Sequence, residues 1–324
     1  MNEHFGNPLI EQRKLSEGKA AIRFTNRAII TVAGEDAKTW LHSLLTQNLK
    51  NLSHGQSTES LLLDPQGHIE AQIKVIFSDE TFYLILEPTN RDSFLAWLKK
   101  MVFRSKVTIQ DRSEDFDVVG TFGKSIGELV WVDPWELGTT GGFRYGSVRS
   151  FPYRESLVPK GQQLDFEDAG LMAYQALRIY AGRPSFTDCD EKSLPHEFDW
   201  LATAVHLSKG CYRGQETVAK VHNLGHPPRR LTLLHLDSSE LLPEQGAEVR
   251  FEDKPRGKVV TAGNHFEAGA IALALLSRSV PQDAQLEVAV GQSSVAATQE
   301  VLVPQEAGAV ANVPKLPRLK LGSK

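Results

Sequence analysis

The order of the elements predicted between residues 20 and 110 most constrains the fold. Short strands alternate there with two amphipathic helices, predicted over residues 35–49 and 89–101. In the turn Asp64-Pro65-Gln66-Gly67, proline presets φ and glycine tolerates a positive φ, as a tight hairpin requires. Antiparallel hairpins with helices on one face predict an α+β fold. No glycine-rich loop follows a strand, so we expect no nucleoside triphosphate or dinucleotide site.

The character of the chain changes after residue 224. Before that point, residues 166–180 predict a helix that ends near Gly182 and Pro184, and residues 215–221 predict another. After it, short apolar segments separated by turn clusters predict a small β-barrel or sandwich. From residue 304 the chain is rich in Pro, Ala, Gly and Lys, so we expect a flexible tail.

Composition excludes several classes of protein. The chain has 324 residues, of which 41% are hydrophobic, and this length predicts two or three domains. The net charge of -4 gives no general basic excess, so we do not expect direct nucleic-acid binding. Cys189 and Cys211 are too few for a secreted disulfide scaffold. Since no signal peptide or membrane span is apparent either, a cytoplasmic location is predicted.

Residues 209–216, with the sequence Lys-Gly-Cys-Tyr-Arg-Gly-Gln-Glu, carry the strongest chemical pattern. Cys211 stands between Lys209 and Arg213, and nearby cations stabilise the thiolate, which is the reactive form of cysteine. The two glycines of the segment permit tight turns. This pattern favours a functional thiol, and the alternative is that Cys211 is a small buried hydrophobic residue.

Two other chemistries would use the same cysteine. Together with His222 and Asn223, Cys211 supplies the residue types of a cysteine-hydrolase triad, but the partners in such triads usually lie far apart in sequence. Zinc binding is a second alternative, and it lacks the paired spacing typical of zinc sites. The four residues available to zinc are Cys189, Cys211, His222 and His226.

The same eight residues resemble a family signature. Residues 209–216 match the Lys-Gly-Cys-Tyr-x-Gly-Gln-Glu motif of the YgfZ family, folate-binding relatives of the glycine-cleavage T-protein (aminomethyltransferase), at every fixed position. A weaker resemblance covers roughly residues 20–300. The segments that carry this wider resemblance are residues 30–36, 63–69, 103–107 and 177–184.

The resemblance implies a T-protein-like fold. Two ferredoxin-like α/β domains, the first of them discontinuous, and a C-terminal β-barrel would surround a central folate channel. In this chain, residues 1–50 and 115–225 would form the first domain and residues 51–114 the second. Residues 226–303 would form the barrel, and residues 304–324 would be the flexible tail.

The resemblance also implies a function. It suggests a tetrahydrofolate-binding accessory protein for the assembly or repair of iron–sulfur cluster enzymes, including tRNA-modifying ones. Its partners would be folate and iron–sulfur proteins such as tRNA-thiolating enzymes, with no membrane involved. The alternative is a folate-dependent aminomethyl or methyl transferase related to the T-protein.

A third interpretation is a binding or scaffold module that holds a partner protein or tRNA. It rests on two basic segments, and such charge runs are more often solvated surface. The basic residues are those of segment 227–230 and Lys315, Arg318, Lys320 and Lys324.

The family motifs also suggest site residues, position by position. Cys211 and Lys209 would be catalytic. The family's folate-contacting aromatics fall at Tyr174, whose ring could stack on a pterin, and at Arg27, whose guanidinium can stack on a flat ring or pair with a folate carboxylate. The other expected folate contacts are Arg178, Tyr212, Gln215 and Glu216.

Two departures from the T-protein pattern concern acids. Glu70-Ala71 stands where T-proteins carry an acidic pair after the hairpin glycine, and Tyr180 stands where they carry another acid. Losing these acids removes groups that could steer a proton at the folate. The resemblance therefore does not extend to glycine cleavage itself.

Overall fold

The computed structural model describes residues 2–238 and 241–311, which form two five-stranded sheets, a closed barrel and five α-helices. The helices are α1 (Pro8–Ser16), α2 (Ala37–Leu44), α3 (Arg91–Lys100), α4 (Leu171–Tyr180) and α5 (Gln215–Leu224). The strands are β1 (Ala20–Phe24), β2 (Ala28–Ala33), β3 (Gln56–Leu63), β4 (Ile69–Ser78), β5 (Thr81–Leu86), β6 (Thr108–Asp111), β7 (Phe116–Phe122), β8 (Val130–Val132), β9 (Tyr153–Pro159), β10 (Glu167–Ala169), β11 (Arg229–Leu236), β12 (Glu248–Phe251), β13 (Lys254–His265), β14 (Gly269–Ser277), β15 (Leu286–Val290) and β16 (Ser293–Val301). Within the described ranges, every helix is too short to cross a membrane.

The first sheet has the strand order β10-β1-β7-β9-β8 and is antiparallel except where β1 pairs with β10. Helices α1 and α4 pack against each other and cover this sheet. Phe24, Val118 and Tyr153 from the strands meet Leu15 of α1 and Leu177 of α4 in one buried cluster. Burial of these large apolar side chains stabilises the lobe.

The second sheet has the order β3-β4-β5-β2-β6 and is antiparallel throughout. Trp40 and Leu41 of α2 and Phe94 and Leu98 of α3 form its buried face with strand residues such as Ile73. This arrangement has the predicted helices on one face of an antiparallel sheet.

Strand pairing divides the chain differently from the predicted boundary at residue 50. The resemblance places residues 1–50 in the first domain, but β2 pairs with β5 and β6, and α2 packs on the second sheet. Only residues 25–27 separate β1 from β2, and they resemble a hairpin turn. They connect two sheets instead, because β1 finds its partners in β7 and β10, far along the chain.

The C-terminal strands close into a barrel in the order β11-β14-β13-β12-β15-β16. Leu234, Val249, Ala272 and Val288 are among the buried residues of its core. Outside the barrel, Gly263 of β13 lies close enough to α4 for an added Cβ to stand 3.6 Å from the Cα of Ala176. The predicted fold class, an α+β chain with a C-terminal β-barrel, is confirmed.

The segment predicted as a flexible tail begins with packed residues. The backbone N–H groups of Val310 and Ala311 donate to the carbonyls of His222 and Asn223 at the end of α5, at 3.0 and 3.2 Å. Ala307 is buried. The basic residues predicted further on, Lys315, Arg318, Lys320 and Lys324, lie outside the described residues.

The second basic segment, residues 227–230, does not present free charge. Arg229 pairs with Asp190 and Glu197, and Arg230 is buried, with its guanidinium bonded to Thr232 and Gln299. These two arginines therefore stabilise the barrel and its neighbours. One of the two basic segments that suggested a scaffold for a partner protein or tRNA therefore no longer supports it.

Candidate functional site

Residues 209–216, hereafter the signature loop, are anchored at Lys209. Its side chain is buried, and its ammonium group donates to the carbonyls of His42, Leu45 and Gln47 at the C-terminal end of α2. A cation at this end of a helix is favoured by the helix dipole and satisfies carbonyls that lack helical partners. Burial lowers the pKa of Lys209 to about 7. Lys209 therefore fixes the loop to α2.

A second anchor lies at the other end of the loop. The Arg213 guanidinium pairs with both carboxylate oxygens of Glu70, at 2.8 and 3.2 Å. Gly214 adopts a φ of 81°, and a Cβ there would lie 2.6 Å from the carbonyl oxygen of Asp64. Gly67, in the hairpin, comes equally close to Thr217 of α5, where its Cβ would lie 2.8 Å away. The glycines let the loop and hairpin interlock.

Cys211 lies between these anchors as an exposed free thiol. The charge pattern predicted that Lys209 and Arg213 would stabilise its thiolate. Instead, Lys209 is bonded to α2 carbonyls and Arg213 to Glu70, so both cations hold the loop in place. Cys211 is therefore an accessible thiol on a loop that is held in place at both ends.

The other motif residues divide between core and surface. Tyr212 is buried in the same apolar cluster as Val218 and Leu231. Gln215 is the first residue of α5, and exposed Glu216 lies in its first turn, where an acid complements the helix dipole. Tyr174 belongs to a different cluster, so the structure does not place Tyr212 and Tyr174 in one aromatic site.

The histidines named for the hydrolase and zinc alternatives have other partners. His222 Nδ1 lies 2.6 Å from the Tyr145 hydroxyl, and His226 Nδ1 lies 2.8 Å from the carbonyl of Ala307. Burial raises the pKa of the half-buried Cys189 thiol well above its usual range. Within residues 2–238 and 241–311, no three His, Cys, Asp or Glu side chains gather to hold a metal ion.

A second region, hereafter the buried polar cluster, comprises Arg27, Lys74, Glu87, Tyr153, Glu155 and Tyr174. Arg27 forms an ion pair with Glu87, and its guanidinium carbon lies 4.5 Å from the centre of the Phe24 ring. Burial alone would lower the pKa of Arg27, but the Glu87 carboxylate more than offsets burial and raises it. Among the described residues, Arg27 Nε has no hydrogen-bond partner.

Aromatic rings enclose one side of this cluster. The Tyr174 ring packs edge-on against Phe24, with centres 5.6 Å apart, and lies 5.0 Å from the Tyr153 ring. Burial raises the pKa of the Tyr174 hydroxyl well above its usual range, so the hydroxyl stays protonated. Tyr174 is therefore an aromatic wall beside Arg27.

Glu155 is the acid of this cluster. It is fully buried on β9, where Oε1 accepts from Lys74 Nζ at 2.5 Å and from the Tyr153 hydroxyl at 3.0 Å. Its other oxygen, Oε2, has no partner in the described part of the chain. A buried carboxylate oxygen without a partner is costly unless a ligand or water donates to it.

Sequence reasoning missed Lys74, Glu87 and Glu155. Lys74 lies on β4 and Glu87 directly follows β5, but Glu155 lies on β9, 81 residues from Lys74, so no local motif joins all three. One sequence signal was available: Lys74 interrupts the apolar run of β4, where most neighbouring residues are buried. A charged residue inside an apolar strand indicates a buried partner.

Arg178, predicted to contact folate, is satisfied by the protein itself. It is almost fully buried, and its guanidinium donates to Gln175, Asp188 and the carbonyl of Arg183 through all three nitrogens. This arrangement uses the five N–H groups that an arginine has. Arg178 therefore ties α4 to the segment that follows it.

A further buried network lies beside the cluster. Arg183 pairs with Glu59 of β3 and with Asp133, which follows β8, and so joins the two sheets. Burial raises the pKa of Asp133 to about 6, although Arg183 opposes this effect. Breaking such a buried pair leaves an uncompensated charge, so the network fixes how the sheets meet.

Comparisons with known proteins agree with this fold. The GCVT N-terminal domain matches residues 10–129. The tRNA-modifying protein YgfZ of Vibrio atlanticus is 24% identical over 278 residues, covering 80% of this chain and 84% of that protein. A mitochondrial iron–sulfur cluster assembly factor IBA57 homolog of Coccidioides immitis is 25% identical over 356 residues, covering 93% of this chain and 80% of the homolog.

A solved structure extends the similarity to almost the whole chain. The glycine cleavage system aminomethyltransferase T of Bartonella henselae superimposes with a TM-score of 0.71 at 17% identity, covering 93% of this chain and 90% of that one. At this identity the similarity concerns the fold. The sequence matches support a YgfZ-type relative of the GCVT family.

Proposed function

We propose that this protein binds tetrahydrofolate and serves the assembly or repair of iron–sulfur cluster enzymes, including tRNA-modifying ones, with Cys211 as its functional thiol. The exposed position of Cys211 on a doubly anchored loop carries the proposal. The names of two relatives, a tRNA-modifying protein and an iron–sulfur cluster assembly factor, support the choice of process. The cytoplasmic location stays a prediction.

The buried polar cluster supports folate as the ligand. Among the described residues, Glu155 Oε2 is an acceptor without a partner and Arg27 Nε is a donor without one. A pterin carries N–H donors along one edge and a flat ring that can stack on aromatic side chains. Tyr153 and Tyr174 supply such rings next to Glu155. We therefore assign folate contacts to Arg27, Tyr174 and the newly found Glu155.

The thiol and the lysine take different roles in this proposal. Cys211 would contact the client protein, because an exposed thiol is accessible to a large partner. Lys209 is a positioning residue, since its ammonium group is committed to the carbonyls of His42 and Leu45. Gln215 and Glu216 are the last residues of the signature loop and the first of α5, so they connect the loop to this helix.

Genetic complementation tests the thiol. A strain lacking the gene should recover the activity of an iron–sulfur enzyme when it expresses the wild-type protein or Cys189→Ser. Cys211→Ser, present at the same level, should restore less than about a tenth of that activity. Cys189 is the matched control, because it is the protein's other cysteine and is half-buried. Full rescue by Cys211→Ser would remove the thiol from the function.

A second candidate function is folate-dependent aminomethyl transfer. The aminomethyltransferase fold favours it, as do aminomethyltransferases that are 24–25% identical to this chain. Against it stands Glu70, which occupies the position after the hairpin and is paired with Arg213. Incubation with tetrahydrofolate and an aminomethylated carrier protein distinguishes the two functions. Formation of methylenetetrahydrofolate above background would establish transferase activity.

A further inference from the structure

A cavity of about 700 Å³ lies beside the signature loop and outside the buried polar cluster. It opens between the start of β4, helix α3 and residues 186–191, and Arg213 of the signature loop forms part of its wall. Neither Cys211 nor any residue of the buried polar cluster lines it. Cavities of this size accommodate a small molecule or one long side chain.

The charge of the lining is predominantly negative. Asp64, Glu70, Asp190 and Glu191 face a single arginine, Arg213. Three of these acids already have partners: His68 hydrogen-bonds Asp64, and Arg213 and Arg229 form ion pairs with Glu70 and Asp190. Glu191 is exposed and forms no ion pair with any residue in the described ranges. One carboxylate is therefore available to a ligand.

Two further hydrogen-bond acceptors in the lining have no partner among the described residues. Asn90 is 8% exposed, and its Nδ2 donates to the carbonyl of Glu70 at 3.0 Å, but its Oδ1 has no partner among the described residues. His68 Nδ1 lies 2.8 Å from Asp64 Oδ2, so Nδ1 carries the proton that it donates to this carboxylate. In the neutral ring, Nε2 is then an acceptor. Asn90 Oδ1, His68 Nε2 and the Glu191 carboxylate therefore give the cavity acceptors for a ligand.

Aromatic side chains form the remaining wall. Phe94 and Trp97 of α3 stack with ring centres 6.3 Å apart and an angle of 26°, and Phe186 lines the cavity with them. The face of an aromatic ring attracts cations, and tryptophan does so most strongly. Acceptors, an unpaired carboxylate and aromatic faces together complement a positively charged group with several N–H donors.

We propose that this cavity binds an organic cation, an alkylguanidinium or alkylammonium group. Its N–H groups would be accepted by Asn90 Oδ1 and Glu191, and its charge would lie over Trp97. The group could belong to a free diamine or guanidine, or to an arginine or lysine side chain of a partner protein. The proposal is independent of folate binding, because the cavity and the buried polar cluster have no residue in common.

Calorimetric titration of the full-length protein with agmatine tests the proposal. Saturable binding at one site is expected, and the neutral 1,4-butanediol should not bind. Glu191→Gln should weaken agmatine binding about fivefold and Trp97→Leu about tenfold. Glu244→Gln, which removes an exposed acid outside the cavity, should bind as the wild type does. Because Glu191 is exposed, its variant should fold even if Trp97→Leu does not.

Three outcomes would overturn the inference. The first is the absence of saturable agmatine binding, and the second is wild-type affinity in Glu191→Gln. The third is competition by tetrahydrofolate, since the cavity would then be a folate site. Titration with a short arginine-containing peptide distinguishes the sources: tighter binding of the peptide supports a partner's side chain, and tighter binding of agmatine supports a free metabolite.

Discussion

The signature loop and the buried polar cluster use charged residues in opposite ways. In the signature loop, Lys209 and Arg213 are bonded to the protein itself, and only the thiol between them is left accessible. In the cluster, Arg27 and Glu155 each keep a buried atom without a partner in the described part of the chain. Charges in a contiguous motif can therefore build the scaffold, while residues scattered along the chain keep the capacity to bind.

The largest effect is expected from removing the first anchor of the loop. Lys209→Met keeps the length of the side chain but leaves the carbonyls of His42, Leu45 and Gln47 without their donor. The free energy of unfolding, followed in urea by tryptophan fluorescence, should fall by about 4 kcal/mol. The exposed residue Lys50 provides the control. Lys50→Met should change the free energy of unfolding by less than about 0.5 kcal/mol. Equal effects of the two variants would show that Lys209 is no anchor.

The glycine that interlocks the loop with the hairpin should be nearly as sensitive. Gly214→Ala places a Cβ 2.6 Å from the carbonyl oxygen of Asp64 in a residue with a φ of 81°. The free energy of unfolding should fall by about 3 kcal/mol. Gly123 has a similar φ of 79° with no atom near the added Cβ, so Gly123→Ala should cost only about 1 kcal/mol. A similar loss in both variants would attribute the effect to φ alone.

A smaller, pH-dependent effect concerns helix α5, which follows the loop. His196 is fully buried with Nε2 3.1 Å from the carbonyl of Val218, and burial lowers its pKa to about 4. A histidine in the unfolded chain has a pKa near 6.5. Between pH 6.5 and 4 this histidine therefore binds a proton in the unfolded chain but not in the folded protein. The stability that this group contributes is complete above pH 6.5 and is lost as the pH falls.

Unfolding measured at pH 7 and pH 4.5 checks this sign. The wild type should lose about 2 kcal/mol more than His196→Gln, which keeps an N–H donor for Val218. The difference between the two proteins separates His196 from Asp133 and Asp199, whose pKa values burial raises to about 6 and which act in the opposite sense. Parallel pH profiles would contradict the assignment.

The elements with local signals could be predicted from the sequence. The hairpin after β3 and the ends of helices α4 and α5 lie where their turn and stop residues indicated. The predicted start of α4 at residue 166 was wrong, because residues 167–169 form β10, which pairs with β1, and the helix begins at Leu171. Helix α2 is shorter than its apolar spacing predicts: it ends at Leu44, although Leu45 and Leu49 remain buried. The apolar spacing indicates which residues are buried and not where the helix ends. Beyond Leu44 the backbone forms hydrogen bonds to other elements, such as the one from Thr46 N to the carbonyl of Leu61.

The candidate site could be predicted only in part, because some of its residues meet only when the two sheets pack together. Residues 209–216 are adjacent in the chain, so their pattern identified the loop, although not that Lys209 and Arg213 would be bonded elsewhere. Glu155 accepts a hydrogen bond from Lys74, which is 81 residues away on another sheet. Such a pair is created by the packing of the two sheets and leaves no trace in local spacing.

The separation of roles between the two regions is tested most directly by titrating the purified protein with tetrahydrofolate. Glu155→Gln should weaken binding about tenfold, because an amide offers a weaker acceptor to the pterin edge than a carboxylate does. Cys211→Ser should bind as the wild type does, and so should Glu167→Gln, a control that removes an exposed acid from the same sheet. Unchanged affinity in Glu155→Gln, or lost affinity in Cys211→Ser, would contradict the account.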